Sequence, residues 1–582
     1  MSQGLIHSSG EMGGSRRLVG VLLAASLILG ACTQTPSTDA TTSSSPNTSV
    51  GTETSTTDGS AAPGSTSGEQ PEQFGDLRIA VTDMGAQTFD PIESDLSGAT
   101  GVTGPIYDFM VNIDGGEIVP GIAESWTQSD DGLTWVFNIR QGVKWADGTD
   151  LTGRDVKFSL ERYMEPEAIS PTIRDYVESV ELVDDYTVEV TLSEPQPFLL
   201  YALTTTGPPA GQVMPMDYIN EHGVEYFQEN PMGSGPWNLV SYSPSESLVF
   251  EAKEEHWRST PEFETMTILQ VPELSTQLAM LRAGEVDMAE VLIDDVGTLE
   301  SEGFTIYELG GNQGRVQFHA TMGDPRGEGL PTSDIRVRQA LALAVDQDAI
   351  NESLLLGKGA PRVPPRTLYG IGGLDTDYWV DWFETNVPYD PEEAQRLLEE
   401  AGYPDGFDIR LFYTADSGLA YLDRVAVVIQ NYWEAIGVNT EIVFQDEATY
   451  RATRTEPADV LVGNASFGGM GGVGPIALTA RWIWGSTGGG RLTSRQVSED
   501  EIEIYTPEIE ETLNAALSEL DPDISVELGN EFVQMGVETW TAFPLNQVPF
   551  TVAVGPDVTL EINEPAAIPK PVYYAESARH AP

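Results

Sequence analysis

Side chains capable of acid–base or nucleophilic chemistry are abundant in this sequence, but they do not occur in the spacings that catalysis requires. The 582 residues include 91 Asp and Glu and five His. They contain no G-x-S-x-G nucleophile turn, H-E-x-x-H zinc motif or G-x-x-x-x-G-K-[ST] phosphate loop. The histidines are dispersed, so we expect neither a metal site nor catalytic residues. Paired carboxylates for glycoside hydrolysis remain open, because so many acids guarantee accidental pairs.

One glycine-rich segment fits a nucleotide-binding pattern. Residues 469–474 satisfy G-x-G-x-x-G and follow an apolar run at 460–462. A dinucleotide site also needs a helix that opens at the loop, which Pro475 could begin, and an acid about 20 residues further on. Residues 494–496, Ser-Arg-Gln, occupy the place of that acid. We therefore expect no cofactor and interpret the segment as a flexible loop that lines a cleft.

The single cysteine, Cys32, lies where a secretion signal would end. Residues 18–31 form an apolar run that suits a signal sequence and is too short to cross about 30 Å of hydrocarbon. The four residues that end at this cysteine, Leu-Gly-Ala-Cys, resemble a bacterial lipobox. This implies that residues 1–31 are removed and that Cys32 carries a diacylglycerol anchor; a plain secretory signal is the alternative. We expect residues 32–74, rich in Thr and Ser, to be a disordered tether.

The balance of charge excludes one broad class of partner. With 91 acidic against 29 basic side chains the formal net charge is −62. Phosphates would be repelled over most of the surface, so we expect no nucleic-acid binding. A lone cysteine also excludes a disulfide framework, a four-cysteine zinc site and a C-x-x-C redox pair. An acidic surface by itself indicates no partner.

Beyond the tether, strand and helix patterns alternate. Every second residue over 133–139 is apolar after an Asp-Gly turn, which predicts a hairpin strand. Asp390, followed by Pro and by apolar residues at i, i+3, i+4 and i+7, predicts a capped helix. Another apolar stripe over 422–436 precedes a strand pattern at 438–444. Helix-then-strand units of this kind favour α/β domains with partly parallel sheets.

Several separated motifs resemble the extracytoplasmic solute-binding proteins of ABC importers, in the oligopeptide/dipeptide-binding family (family 5). The matching segments, which follow the order of that family, are residues 75–80, 88–91, 118–156, 231–237, 283–287, 337–340 and 389–407. One such motif would mean little, but this many in order indicate the family. The resemblance implies a periplasmic-binding-protein-like α/β fold of type II, in which two α/β lobes are joined by a hinge and a smaller domain is inserted.

The resemblance also implies a domain organisation and a function. Its domain I would comprise residues 75–115, 232–325 and 540–582, its domain II residues 116–231, and its domain III residues 326–539. Domains I and III would close on a ligand about crossover strands. The implied protein is a lipid-anchored, extracytoplasmic monomer that hands a solute to ABC permease subunits in the membrane and is not an enzyme. A tethered extracellular hydrolase, and a surface adhesion or signalling lipoprotein on this fold, are the alternatives.

A missing acid constrains the ligand. In peptide-binding relatives, an Asp in a stretch like G-W-x-A-D-Y-x-D-P neutralises the amino terminus of the peptide. The corresponding stretch here begins near Asp459 and contains no later acid, which argues against an oligopeptide and favours a neutral, flat ligand such as an oligosaccharide. We keep both classes, peptide and oligosaccharide, as expected solutes. The predicted ligand contacts are Phe89, Asn464, Phe467, Trp482 and Trp484. Packing in a core is the alternative for both tryptophans.

Overall fold

The structure, a computed structural model, describes most of the chain from Phe74 onward. The residues outside the description are 1–73, 86, 95, 115–116, 205–209, 322, 368–371, 415–420, 446–448, 450–459, 470–473, 487–493, 499–500, 505, 563–570 and 582. The predicted signal, the anchor at Cys32, nearly all of the tether, Asp459 and the middle of the glycine-rich loop therefore lie outside the described residues.

The helices of the described residues are distributed along the whole body of the chain. They are α1 (Leu96–Gly101), α2 (Gly153–Tyr163), α3 (Pro171–Tyr176), α4 (Leu199–Ala202), α5 (Met216–His222), α6 (Val224–Glu229), α7 (Leu274–Ala283), α8 (Val296–Glu302), α9 (Ile335–Leu343), α10 (Gln347–Leu354), α11 (Thr376–Asn386), α12 (Pro391–Glu400), α13 (Leu422–Ala435), α14 (Ile476–Trp484), α15 (Pro507–Ser518) and α16 (Pro522–Glu538). Short 3-10 turns occur at Pro91–Glu93, Ile293–Asp295, Pro325–Gly327, Pro331–Ser333 and Pro571–Ser577.

The strands alternate with these helices. They are β1 (Phe74–Val81), β2 (Val111–Asp114), β3 (Glu117–Pro120), β4 (Ala123–Gln128), β5 (Thr134–Ile139), β6 (Val177–Asp184), β7 (Thr187–Leu192), β8 (Trp237–Ser243), β9 (Ser247–Ala252), β10 (Phe263–Gln270), β11 (Met288–Val291), β12 (Thr305–Phe318), β13 (Asp408–Thr414), β14 (Asn439–Gln445), β15 (Ala465–Gly469), β16 (Ser494–Ser498), β17 (Glu501–Ile504), β18 (Ala542–Val554), β19 (Val558–Leu560) and β20 (Ala578–His580).

Two long antiparallel strands, β12 and β18, form the middle of a ten-stranded sheet. Its order is β14-β13-β15-β12-β18-β11-β1-β10-β9-β8. One end of β12 pairs with β15, while the opposite end of β18 pairs with β11. The strand β13 is parallel to β14 and β15, and β1 is parallel to β10 and β11. The prediction of partly parallel sheets is therefore confirmed, and β12 and β18 are the crossover strands.

Two large hydrophobic cores lie on either side of the middle of these crossover strands. The first core reaches Leu309 on β12 and Val552 on β18, and the second core begins at Val316 and Val548. We call residues 74–309 and 552–581 the first lobe, and residues 316–548 the second lobe. Both limits fall within the crossover strands. The predicted domain limits at 325/326 and 539/540 lie just outside them and stay predictions.

The local predictions agree with the structure where alternation or capping carried them. In β5, Trp135, Phe137 and Ile139 are buried while Asn138 is exposed, and the strand belongs to a four-stranded antiparallel sheet, β4-β5-β7-β6, within the first core. The Asp390 side chain accepts the Glu393 N–H at 2.9 Å and caps α12. Among the described residues, no helix is both long and apolar enough to cross a bilayer.

Candidate functional site

The middle of the crossover strands is polar rather than apolar. The side chain of Gln313, on β12, is fully buried and donates to the Val363 carbonyl at 2.7 Å, while its oxygen accepts the Arg366 N–H at 3.0 Å. On β18, Gln547 donates to the Thr367 carbonyl at 3.3 Å. These bonds hold the segment 360–367 against the hinge. The register of β12 and β18 shifts at two points in this region, and such bulges bend a strand locally.

The segment held at the hinge presents Arg366 to Trp482. The backbone of Arg366 has φ 71°, a left-handed conformation that costs a residue with a side chain about 1–3 kcal/mol. Its guanidinium carbon lies 5.8 Å from the centroid of the Trp482 ring, within the range of a cation–π interaction. Trp482 is half-buried, and its indole N–H makes no hydrogen bond within the described part of the chain. The aromatic face and a free donor are therefore both available at this position.

A second cation, Arg481, lies beside the same ring. Its guanidinium carbon is 6.0 Å from the Trp482 centroid. Burial lowers the pKa of Arg481, and Tyr176 opposes that effect only in part. Among the described residues, the Arg481 guanidinium has neither a carboxylate nor a hydrogen-bond acceptor as partner. A cation without a partner, next to an aromatic ring, is a site that can receive an anionic group.

The first lobe brings two tyrosines to this region. Tyr176, at the end of α3, lies close enough to Arg481 to act on its pKa. The ring of Tyr201, on α4, lies against the loop that precedes α14, since a Cβ atom at Gly474 would be 3.7 Å from Tyr201 Cδ1. Burial raises the pKa of Tyr201, and the negative charge of Glu117 adds to the effect. Neither phenol makes a hydrogen bond to a described residue.

Contacts between the lobes away from this region include an ion pair and a packing contact. Asp294 in the first lobe and Arg424 on α13 form an ion pair of 2.9 Å. Leu520 in the second lobe packs on the Gly132 turn, where a Cβ atom would come within 2.7 Å of its Cδ2. The two lobes are therefore in contact beyond the hinge. A ligand between them would be enclosed by α14 on one side and by α3 and α4 on the other.

The structure separates the two tryptophans that the sequence grouped together. Trp484 is fully buried in the second core, where its indole N–H donates to Thr541 Oγ1 at 3.0 Å. Phe467, on β15, is fully buried in the same core. Their positions serve packing, and a role in ligand contact stays a prediction for both. Trp482 is the member of the pair that lies beside the two arginines.

The other two predicted contacts also have bonds or packing of their own. Phe89 is 4% exposed in the first core, where its ring meets that of Tyr242 edge to face at 5.1 Å. The Asn464 side chain accepts the Arg410 N–H at 2.9 Å and donates to the Val460 and Val462 carbonyls at 3.1 Å. Its amide is therefore already used within the second lobe. A contact with ligand stays a prediction for Phe89 and Asn464.

Sequence reasoning missed the residues that surround Trp482. The signal for Arg481 was present, because residues 460–498 contain no Asp or Glu in a chain that has 91. A basic residue in such a stretch has no local carboxylate to pair with. Tyr176 and Tyr201 gave no comparable signal, because they are distant from Arg481 in the sequence and only the fold brings them to the same region.

Comparison with known proteins identifies what this architecture is similar to. Residues 117–489 match the family described as "Bacterial extracellular solute-binding proteins, family 5 Middle". The chain is 29% identical over 393 residues to heme-binding protein A of Haemophilus influenzae, covering 60% of this chain and 66% of that protein, just under two thirds. It is 29% identical over 395 residues to the dipeptide-binding protein of Escherichia coli, covering 62% and 70%. These matches confirm the family predicted from the motifs.

A solved structure gives the same result for the fold. The ABC transporter-associated periplasmic binding protein DppA of Helicobacter pylori, in complex with peptide STSA, superimposes with a TM-score of 0.71. At 21% identity, the superposition covers 88% of this chain and 99% of that one. The predicted fold class, two α/β lobes of the periplasmic-binding-protein type, is confirmed. The matched family and relatives are described as binding proteins, which agrees with the expectation of a binding protein rather than an enzyme.

Proposed function

The chain belongs to the bacterial extracellular solute-binding proteins of family 5, and on this premise we propose that it is the substrate-binding component of an ABC importer. It encloses a small solute between its lobes and delivers it unchanged to permease subunits in the membrane. The main support is the pair of crossover strands, whose polar and bulged middle joins two separate cores. Such a joint allows the lobes to open and close, provided that the solute binds the closed state more tightly.

Peptides are the first class of solute that we propose, in keeping with the names of the dipeptide-binding relative and of the peptide-bound neighbour. An oligosaccharide is the second class, because the half-buried ring of Trp482 offers a face on which a sugar could stack. Of the five predicted contacts, we propose Trp482 as the residue that touches the solute. The proposed site continues from it to Arg366 at the hinge and to Arg481.

We further propose that the protein acts as a monomer on the outer side of the membrane, anchored through a lipid on Cys32. The family is one of extracellular proteins, and the motif that ends at Cys32 supports lipidation. Two acyl chains suffice for stable anchoring. Mass spectrometry of the intact protein from its host would detect the added diacylglycerol at the N-terminus, and an unmodified cysteine there would refute the anchor.

The binding function is tested with the protein purified from its own host. A pool of defined di- and tripeptides and a pool of defined oligosaccharides are each added, and complexes are read by native mass spectrometry. We expect a 1:1 complex with an intact member of one pool, accompanied by a higher Tm. Shortened peptides or new reducing ends would instead indicate a hydrolase, and absence of binding from both pools would refute the proposal.

The site is tested with two matched substitutions on one helix. Trp482→Ala removes the ring beside the arginines and should weaken binding of the selected ligand about 10-fold, with little change in Tm. Trp484→Ala leaves a cavity in the second core and should cost about 3–5 kcal/mol of stability. Equal affinity of wild type and Trp482→Ala would remove Trp482 from the site, as would unfolding caused by that substitution.

A further inference from the structure

We propose that the solute carries an anionic group, a carboxylate, and that Arg481 binds it at the edge of Trp482, opposite Tyr176. The inference rests on the proposed function, and it adds the chemical feature by which the solute is selected. The carboxylate could belong to a peptide C-terminus or to an acidic sugar. Both sources present the same planar anion, which matches the fork of a guanidinium.

The first support is that the polar groups near Trp482 are hydrogen-bond donors. Arg481, the Trp482 indole N–H and the hydroxyl groups of Tyr176 and Tyr201 all can donate hydrogen bonds, and none has an acceptor among the described residues. All four side chains are half-buried, and they are distributed over both lobes along α14. Their hydrogen-bonding capacity is therefore open to an acceptor-rich guest. A ligand that bridged Arg481 and Tyr176 would also join the two lobes, as closure demands.

The second support is a comparison with other arginines that are removed from water in this chain. Arg338 donates to the carbonyls of Thr332, Ser333 and Thr539 at 2.7–3.2 Å. Arg362 donates to the carbonyl of Val387 at 2.9 Å, at the end of α11. Burial lowers the pKa of both, as it does for Arg481. Only Arg481 of these three lacks such acceptors in the described part of the chain, so its guanidinium remains available to a ligand.

The third support is electrostatic. A chain of net charge −62 repels anions at long range, so an anionic solute needs a local excess of positive charge. Arg481 provides positive charge 6.0 Å from the centroid of the Trp482 ring. Its partial burial strengthens its effect relative to that of a charge in water. A charge-assisted hydrogen bond of this type corresponds to about a 10- to 100-fold gain in affinity.

The test uses pairs of probes that differ only in the charge of one group. Tripeptides are supplied as free acids and as C-terminal amides, and disaccharides are supplied with a hexuronate or with the corresponding neutral hexose. Affinities are measured by calorimetry for the wild type, for Arg481→Gln and for Arg396→Gln. The last is the control for loss of one positive charge from the second lobe, because Arg396 pairs with Glu393 and Glu400 on its own helix and lies outside the site.

We expect the wild type to bind the acid form of one pair about 10- to 100-fold more tightly than its neutral form. Arg481→Gln should abolish that preference, whereas Arg396→Gln should keep it. If the wild type binds neutral members equally well, or if Arg481→Gln retains the preference, the inference is wrong while the importer function stands. If nothing in any pool binds, the proposed function fails, and this inference fails with it. The pair that shows the preference identifies the source of the carboxylate.

Discussion

Two arginines, one in each lobe, show opposite solutions to the removal of a cation from water. In the first lobe, Arg162 on α2 donates to both carboxylate oxygens of Asp90 at 3.0 and 2.8 Å, with side-chain exposures of 5% and 1%. In the second lobe, Arg481 on α14 has no carboxylate partner among the described residues. Acids are not scarce in a chain with 91 of them. The two arginines therefore differ because an acid lies beside Arg162 and none of the described acids lies beside Arg481.

The paired arginine serves the architecture. Asp90 also caps the turn that follows it, accepting the Ile92 N–H at 3.4 Å, so the pair fastens the segment after β1 to α2. Arg481 has no carboxylate partner within the described part of the chain and lies near Tyr176 of the first lobe, where, under the proposal above, a fixed carboxylate would compete with a ligand. The saturated pair of Arg162 and Asp90 fits a structural role, while the proposed binding of an anion depends on Arg481 having no such partner.

The largest effect expected from this comparison is produced by breaking the buried pair. Asp90→Asn leaves Arg162 without its counter-charge and should lower the free energy of unfolding by about 3–5 kcal/mol, measured by denaturant titration. The matched control is Asp217→Asn, which breaks an exposed pair of 3.4 Å with Arg154 and should change stability by less than about 1 kcal/mol. Equal stabilities of the two variants would contradict a structural role for the pair of Arg162 and Asp90.

A smaller effect is expected at Lys253, a cation that is only partly satisfied. Its ammonium group donates to the Gly233 carbonyl at 2.9 Å, and burial lowers the pKa of Lys253 to about 8, against the opposing effect of Asp108. The unfolded chain therefore binds more protons than the folded one between about pH 8 and the ordinary lysine pKa of about 10.4. Stability from this group should rise with pH across that window.

The measurement is the difference in unfolding free energy between wild type and Lys253→Met at pH 7 and at pH 9.5. The advantage of the methionine variant should shrink by about 1–2 kcal/mol as pH rises. Tyr107 and Tyr163, whose burial raises their pKa values, are present in both proteins, so their effect at high pH cancels. If the difference in unfolding free energy does not vary with pH, the pKa of Lys253 in the folded protein is that of an ordinary lysine.

The sequence was informative where structure is decided locally. Asp390 and the alternation over 133–139 act through neighbours in the chain, and α12 and β5 formed as predicted. The two-lobed fold was predicted differently, because it was implied by the resemblance of the ordered motifs to a known family and not by local patterns. None of this depends on which residues the fold later brings together.

The site was harder to predict because it depends on distant pairs. Tyr176 and Arg481 are far apart in sequence, and Arg366 reaches Trp482 only because Gln313 holds its segment at the hinge. The difference between the two tryptophans has a local cause, since residues i and i+2 of a helix do not share a face. Trp482 and Trp484 lie on one helix and therefore have different surroundings, and ligand contact stays a prediction for both.

The smallest effect in this comparison concerns an exposed ion pair that joins the lobes, between Asp294 and Arg424. Arg424 and Asp294 lie 2.9 Å apart with side-chain exposures of 38% and 40%, so water and salt weaken their attraction. Because the pair joins the lobes, we expect it to favour closure under the proposed function, by about 0.2–1 kcal/mol. Arg424→Gln should therefore raise the Kd of the selected ligand by at most about 5-fold, and the effect should fade in high salt. Arg396→Gln is the control, since its partners Glu393 and Glu400 lie on the same helix. A change in Kd shared by both variants, or one that persists in high salt, would show that the pair between the lobes does not contribute to closure.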